Sequence, residues 1–351
     1  MTQTLNKDAI KEYYGTILQG SKDLKTSACS CTDEGLTPSV KSALGEINDE
    51  VIQRFYGCGS PIPAVLDGCT VLDLGCGTGR DVFVAAKLTG PTGNVIGVDM
   101  TEEQLSVAHR NLDTQMERFG YASPNVEFRH GYMEDLRAAG IADHSVDVVM
   151  SNCVINLSPD KEAVFSEIFR VLKPGGELIF SDVFSGRRVP LDLQADPVLH
   201  GECLAGALYR EDFRRLLLNL GIRDYRVLSS RRLELGSREI EEKIGMVDFY
   251  SVTVRVFNLP GLEDICEDYG QTATYDGGIT DWPHHFDLAE HHRFIAGKPM
   301  LVCGNTAAML QETRYAKHFT VTGDRSVHYG AFDCGPPKSE CSGKVGGGAC
   351  C

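Results

Sequence analysis

The sequence has a single tryptophan, no apolar run approaching the roughly 20 residues of a membrane span, and no Cys-x-x-Cys pair among its cysteines. The lack of a long apolar run excludes a spanning helix, so no membrane partner is expected. The lack of a Cys-x-x-Cys pair counts against a structural zinc site, whose ligands usually arrive in close pairs. Basic residues are also scarce, 34 against 49 acidic ones, which leaves a formal net charge of −15. That field opposes nonspecific binding to nucleic acid or anionic lipid and suits a neutral or cationic small molecule. The opening residues, Met1-Thr2-Gln3-Thr4-Leu5-Asn6-Lys7-Asp8, have no apolar core of a secretory signal, so a cytoplasmic location is expected. With 13 cysteines, an odd number, and no such signal, reactive or ligand thiols explain the composition better than a disulfide framework. A hydrophobic fraction of 42% over 351 residues suffices for a core in one large or two modest domains.

The run Val71-Leu72-Asp73-Leu74-Gly75-Cys76-Gly77-Thr78-Gly79-Arg80 reads as an apolar strand that stops at a glycine-rich turn. Glycines at such a turn let backbone approach a ligand where a side chain would block it. A helical stretch follows at 81–88, and a second buried strand, Asn94-Val95-Ile96-Gly97-Val98-Asp99, ends in an acid 20 residues after Gly79. Nucleotide-binding sheets place there the group that holds ribose hydroxyls. The third glycine comes one residue too early for the dinucleotide pattern Gly-x-Gly-x-x-Gly, and Asp73 stands inside the motif.

This stretch resembles motif I of class I S-adenosylmethionine methyltransferases. Arg170-Val171-Leu172-Lys173-Pro174-Gly175-Gly176-Glu177-Leu178-Ile179-Phe180 is similar to that superfamily's helix, turn and fifth strand. The resemblance implies a cationic sulfonium cofactor without a pyrophosphate, which a carboxylate-lined site suits better than a phosphate cradle. Asp73, Gly75, Gly77, Gly79 and Asp99 are the cofactor residues it implies, with Cys76 in the loop and Met100 flanking the adenine. Met133 and Glu134, after the third strand, resemble the adenine-contacting segment, and Asn152 is a further candidate.

Strands near 70–74, 95–98, 126–130, 146–150 and 177–183 alternate with helical stretches at 101–119 and 160–172, the pattern of a parallel sheet with crossover helices. The expected fold is α/β, a doubly wound Rossmann-like sheet. A helix at 210–220 and strands near 225–233 and 248–257 complete it. Four segments are expected: a leader at 1–45 with a short helix at 7–18 and Cys29-Ser30-Cys31, a cofactor-binding domain at 46–258 opened by a helix at 38–56, a smaller loop-rich domain at 259–338, and a Cys/Gly-rich tail at 339–351. One strand, Met300-Leu301-Val302-Cys303, stands out in the smaller domain.

Four cysteines stand outside ordinary core contexts: Cys29, Cys58 in Tyr56-Gly57-Cys58-Gly59, Cys153 in Ser151-Asn152-Cys153-Val154-Ile155-Asn156-Leu157, and Cys203 in Gly201-Glu202-Cys203. Cys153 follows the fourth strand, and ligands of open α/β sheets bind outside the carboxyl ends of strands. Cys69 and Cys76 read as small buried hydrophobes, Cys76 packing behind the loop. The cysteine motifs, in this order, resemble the arsenite methyltransferase family over roughly residues 10–335.

That resemblance implies that Cys153 and Cys203 hold trivalent arsenic, that Cys29 and Cys58 assist binding and thiol exchange, and that Tyr56 covers the cofactor. Either Cys29 or Cys31 aligns with the leader position. Implied substrates are arsenite and methylarsenite, acted on by a monomer with S-adenosylmethionine and a thiol reductant, glutathione or thioredoxin. The chemistry is consistent: trivalent arsenic prefers thiolates, and its lone pair can attack a methyl group with no general base. Methyl transfer leaves arsenic formally pentavalent, and two cysteines can reduce it by forming a disulfide, Cys58 with Cys29 in the implied scheme. Three alternatives remain open at this point: a methyltransferase for a small organic acceptor, a non-catalytic metalloid-binding protein, and metal binding by His284, His285, His291 and His292.

Overall fold

The computed structural model describes Thr26 and residues 36–334, and at its centre lies a sheet buried on both faces. Alternation along the strands sends Val71, Val95, Val148 and Met150 to one face and Leu72, Leu74, Ile96 and Val149 to the other. Eight strands build this sheet: β1 (Thr70–Leu74), β2 (Asn94–Asp99), β3 (Val126–His130), β4 (Val146–Asn152), β5 (Leu172–Ser185), β6 (Leu208–Tyr209), β7 (Arg226–Arg232) and β8 (Phe249–Phe257). Their order is β3-β2-β1-β4-β5-β8-β7, with β6 attached to β5. β3 to β5 run parallel, whereas β8 is antiparallel to both β5 and β7. Helices Arg80–Thr89, Glu102–Phe119 and Lys161–Val171 are the crossovers, and the order reverses between β1 and β4, where ligands of such sheets bind.

Two local expectations change. The helix expected over 38–56 is two, Pro38–Gly45 and Asp49–Gln53, because Asn48 caps the second by accepting from the Glu50 N–H at 3.0 Å. The smaller unit holds more strand than its composition suggested: β9 (Glu267–Asp268), β10 (Gln271–Tyr275), β11 (His285–Ala289), β12 (His292–Ile295), β13 (Met300–Val302), β14 (Phe319–Thr322) and β15 (Gly330–Ala331). They form the groups β13-β10-β14, β11-β12 and β15-β9, beside the helix Gly304–Gln311. None exceeds five residues, too short for a period of two to emerge from the sequence. Tyr275, Phe286, Phe294 and Tyr315 form its own aromatic core. The histidines flank or enter the β11–β12 hairpin, and His292 turns inward, its Nε2 lying 3.2 Å from Arg226 Nη1.

A buried ionic knot fastens the smaller unit to the sheet. Glu177 of β5, fully buried, accepts from Arg255 Nε at 2.5 Å, pairs with Arg314, and accepts from the Tyr315 hydroxyl at 3.2 Å. Arg255 Nη1 reaches the Leu288 carbonyl at 2.8 Å, and Arg314 Nε donates to the Val65 carbonyl at 3.0 Å. Burial opposes ionisation of Glu177, but the two guanidiniums outweigh it and hold the carboxyl below its ordinary range. Removing one partner of such a knot strands a buried charge. Arg314→Ala is therefore expected to destabilise the protein by roughly 3–5 kcal/mol, read as a lower midpoint in urea, whereas Arg188→Ala at the exposed Asp212 pair leaves the midpoint within error.

Candidate active site

The carboxyl ends of β1, β2 and β4 surround one pocket, floored by the glycine loop. Gly75 has φ +68°, and a Cβ there would lie 2.3 Å from Val154 Cγ1, so both backbone and space require glycine. Asp99 fixes the loop from β2: its Oδ2 accepts from the Gly77 N–H and its Oδ1 from the Thr101 N–H, each at 2.8 Å. Asp73, Asp81 and Asp99 all line the pocket. Asp81 is answered by Arg80 at 2.7 Å, and Arg80 in turn lies over the Phe55 ring. Asp73 meets no hydrogen-bond donor among the described residues. Burial, then the charges of Asp81 and Asp99, push its carboxyl well above the usual range. A cluster of buried acids suits a cationic ligand.

Tyr56, Cys76, Gly77, Met100, Met133, Glu134, Asn152 and Cys153 share the same lining, while Gly79 (φ +89°) stands behind it at the start of the helix Arg80–Thr89. Glu134 Oε1 accepts from the Ser158 hydroxyl at 2.7 Å. The Cys76 thiol is pushed up by burial, with Asp99 and Asp73 adding to the effect, so it stays protonated and packs. Asn152 does more than position its neighbour. Its Oδ1 accepts from the Cys58 N–H at 3.1 Å, and its Nδ2 donates to the Gly59 carbonyl at 2.8 Å and to Asp81 Oδ2 at 3.1 Å.

Cys58, Cys153 and Cys203 belong to one buried cluster. Cys58 and Cys153 form a disulfide with a Cα–Cα distance of 5.9 Å. This pairing differs from the one expected with Cys29; neither Cys29 nor Cys31 is among the described residues. Cys203 Sγ donates to the Cys153 carbonyl at 3.2 Å. Both Cys153 (φ +54°) and Cys203 (φ +60°) occupy the left-handed region, rare outside glycine. Cys153 faces the cofactor-side pocket, and Cys58 faces a second cavity between β8 and the smaller unit.

Several residues at this corner carried no signal in the sequence. Asp182, at the carboxyl end of β5, has a carboxylate oxygen within 4.8 Å of the Cys58 and Cys153 sulfurs. Burial pushes its carboxyl up to about 7, against the pull of the Val183 and Asn156 N–H groups and the charge of Lys161. Lys161 donates to the Ser158 carbonyl at 3.0 Å; burial lowers its pKa, while Asp182 and Cys203 work against that shift. Glu202, fully buried, accepts from the Thr26 N–H at 2.9 Å and its hydroxyl at 2.6 Å, which hooks the leader beside Cys203. The ring nitrogens of His200 have no partner among the described residues.

The sheet order and the acid-lined loop pocket define the S-adenosylmethionine-dependent methyltransferase fold, and residues 66–221 match the model of a methyltransferase domain. Residues 269–342 match the arsenite methyltransferase C-terminal domain. An arsenite methyltransferase of Aquipseudomonas alcaligenes is 50% identical over 93% of this chain and 94% of its own. That of Homo sapiens is 40% identical over 90% of this chain and 84% of its own. The crystal structure of an arsenic(III) S-adenosylmethionine methyltransferase from Chlamydomonas reinhardtii superposes with a TM-score of 0.82 at 51% identity, covering 85% of this chain and 100% of that one. The chain belongs to the arsenite methyltransferase family.

His200 gives a pH signature for this corner. Burial, helped by Lys161, lowers its pKa from 6.5 to about 4. Between those values the unfolded chain binds the extra proton, so acid weakens the native state through this residue by on the order of 3 kcal/mol. Asp182 shifts the opposite way, but its contribution is common to both proteins in the comparison. The wild type is expected to lose thermal stability relative to His200→Gln as pH falls from 7 to 4, with melting temperatures measured at each pH.

Proposed function

We propose that this chain transfers a methyl group from S-adenosylmethionine to trivalent arsenic held by cysteine thiolates, arsenite and methylarsenite being its substrates. The observation that carries this reading is the convergence of Cys58, Cys153 and Cys203 with Asp182 beside the carboxylate-lined pocket. The fit of the cofactor rests on Asp73, a desolvated acid without a described donor, and on Gly77, where an added Cβ would meet nothing within 4 Å, so the loop is open above it. S-adenosylmethionine supplies an electrophilic methyl on a sulfonium centre. Asp99 is positioned to take ribose hydroxyls, Met100, Met133 and Glu134 to border the adenine, and Tyr56 to cover the site.

Each thiol that binds arsenite displaces one hydroxyl as water, the thiol proton leaving with it. Asp182, with a carboxyl near neutrality beside two sulfurs, can pass that proton. After methyl transfer arsenic is formally pentavalent. In the arsenite step Cys58 and Cys153 then return two electrons to it, forming the disulfide seen in the structure, while arsenic becomes trivalent again; in the methylarsenite step free glutathione supplies the two electrons. Reopening that bond needs a thiol reductant, thioredoxin or glutathione, acting through a mixed disulfide. The second cavity offers the approach to Cys58. In this reading Cys29 is the relay thiol of that exchange. We place this chemistry in the cytoplasm, where such reductants are abundant, on a monomer whose catalytic unit ends near residue 258.

Two measurements test the reading. Asp99→Ala is expected to weaken S-adenosylmethionine binding by roughly 1.5–3 kcal/mol in calorimetry, the loss of hydrogen bonds to a charged group. A protein that instead binds NAD and ignores S-adenosylmethionine would overturn the assignment. Arsenite offers three positions to sulfur and methylarsenite only two. Cys58→Ser should therefore cripple the first methylation and spare that of methylarsenite, assayed across glutathione concentrations, whereas Cys153→Ser loses both. Equal loss of both steps in Cys58→Ser would end the division of labour among these thiols.

A further inference from the structure

A second group of three sulfurs lies in the smaller unit. Cys266, Cys303 and Cys334 place their Sγ atoms within 4.8 Å of one another. They are far apart in sequence, and the fold gathers them by backbone pairing. β9 and β15 run antiparallel through Asp268–Gly330 and Glu267–Ala331, and the Phe332 N–H continues the ladder to the Cys266 carbonyl at 2.8 Å. That ladder sets Cys266 opposite Phe332, with Cys334 two residues further on. The third sulfur comes from beneath: Cys303 is fully buried and caps the helix Gly304–Gln311, its Sγ accepting from the Thr306 N–H at 3.4 Å. Thr306 Oγ1 lies 3.2 Å from the same sulfur, and Arg226 Nη2 donates to it at 3.8 Å. Cys266 and Cys334 are half-buried, so the group has a floor and an open mouth.

We propose that Cys266, Cys303 and Cys334 form a second, non-catalytic site that takes trivalent arsenic as a three-thiolate complex. Arsenous acid would exchange its three hydroxyls for three sulfurs, releasing three waters that carry the thiol protons, with no change of oxidation state. Three sulfurs complete trivalent arsenic, whose lone pair fills the remaining direction. Zinc asks for a fourth ligand, and no histidine, carboxylate or further cysteine joins this group among the described residues. None of the three cysteines borders the cofactor pocket, so arsenic held here is out of reach of methyl transfer.

The site is tested on the full chain, kept reduced with a phosphine and mixed with arsenite, by mapping which cysteines are protected from alkylation. Cys266, Cys303 and Cys334 are expected to be protected together, both in the wild type and in a Cys58→Ser, Cys153→Ser, Cys203→Ser protein that lacks the proposed catalytic thiols. Cys303→Ser, which keeps a good helix cap, should expose Cys266 and Cys334, bind one arsenic fewer per chain by elemental analysis, and methylate arsenite at the wild-type rate. Three outcomes overturn the site: no protection of these cysteines, zinc retained on them in the purified protein, or a Cys266–Cys334 disulfide that persists under the phosphine. Loss of methylation in Cys303→Ser would likewise show that these thiols do not form a separate site. Failure of the catalytic reading would show instead as missing turnover in the wild type, with protection unchanged.

Discussion

One side-chain amide joins the two halves of the site. Asn152, at the last position of β4, holds the Cys58 N–H, the Gly59 carbonyl and Asp81 at once. Together with the Ser251 hydroxyl, which donates to the Cys58 carbonyl at 2.7 Å, these bonds fix the segment around Cys58 over the sheet, with Cys58 standing 5.9 Å from Cys153 between Cα atoms. Through Asp81 the same amide reaches the first turn of the helix behind the glycine loop, so cofactor side and sulfur side share one anchor. A buried amide is costly when its atoms go unpaired and stabilising when they do not. Here both ends are used, which makes the junction rigid as well as specific.

Backbone strain follows the same geometry. Cys153 and Cys203 are two of five non-glycine residues with positive φ among those described, a conformation that costs on the order of 1 kcal/mol or more at each. Hydrogen bonds hold them there: the Cys153 N–H donates to the Ser181 carbonyl, the Cys203 N–H closes a turn on the His200 carbonyl, and the Cys203 thiol donates to the Cys153 carbonyl. Glycine would relieve the strain but carries no sulfur. The conformation is thus retained where a thiol must project from a sharp turn at the end of a buried element.

What could be read from the sequence was local or carried by resemblance. β1, the loop and Asp99 lie within 30 residues, and an apolar strand meeting glycines is a local signal. Cys58, Cys153 and Cys203 were legible only as a set, through the family whose motifs they share. Asp182, Lys161, His200 and the Thr26–Glu202 hook were not legible. Each acquires its character from burial against residues distant in the chain, which composition and periodicity do not encode. The Cys266, Cys303 and Cys334 group escaped for the same reason: two of its members meet across a two-residue ladder far too short to announce itself.

The two sulfur clusters show that ligand identity alone does not decide what a soft-metalloid site does. Both offer three cysteines, and both sit near a buried cation, Lys161 in one and Arg226 in the other. They differ in what borders the sulfurs. Beside Cys153 the protein opens a pocket walled by Asp73, Asp81 and Asp99, an electrostatic well for a cationic methyl donor. Asp182 there supplies a carboxyl able to gain or lose a proton near neutrality. Cys303 instead rests on a helix end, a threonine and a guanidinium already paired to Asp224, with no acid among the sulfurs and no donor pocket at their side. A lone pair on arsenic could attack a methyl group in the first setting and has nothing to attack in the second. Catalysis at the proposed site is therefore a property of the corner where β1, β2, β4 and β5 end, and the thiols are necessary to it without being sufficient.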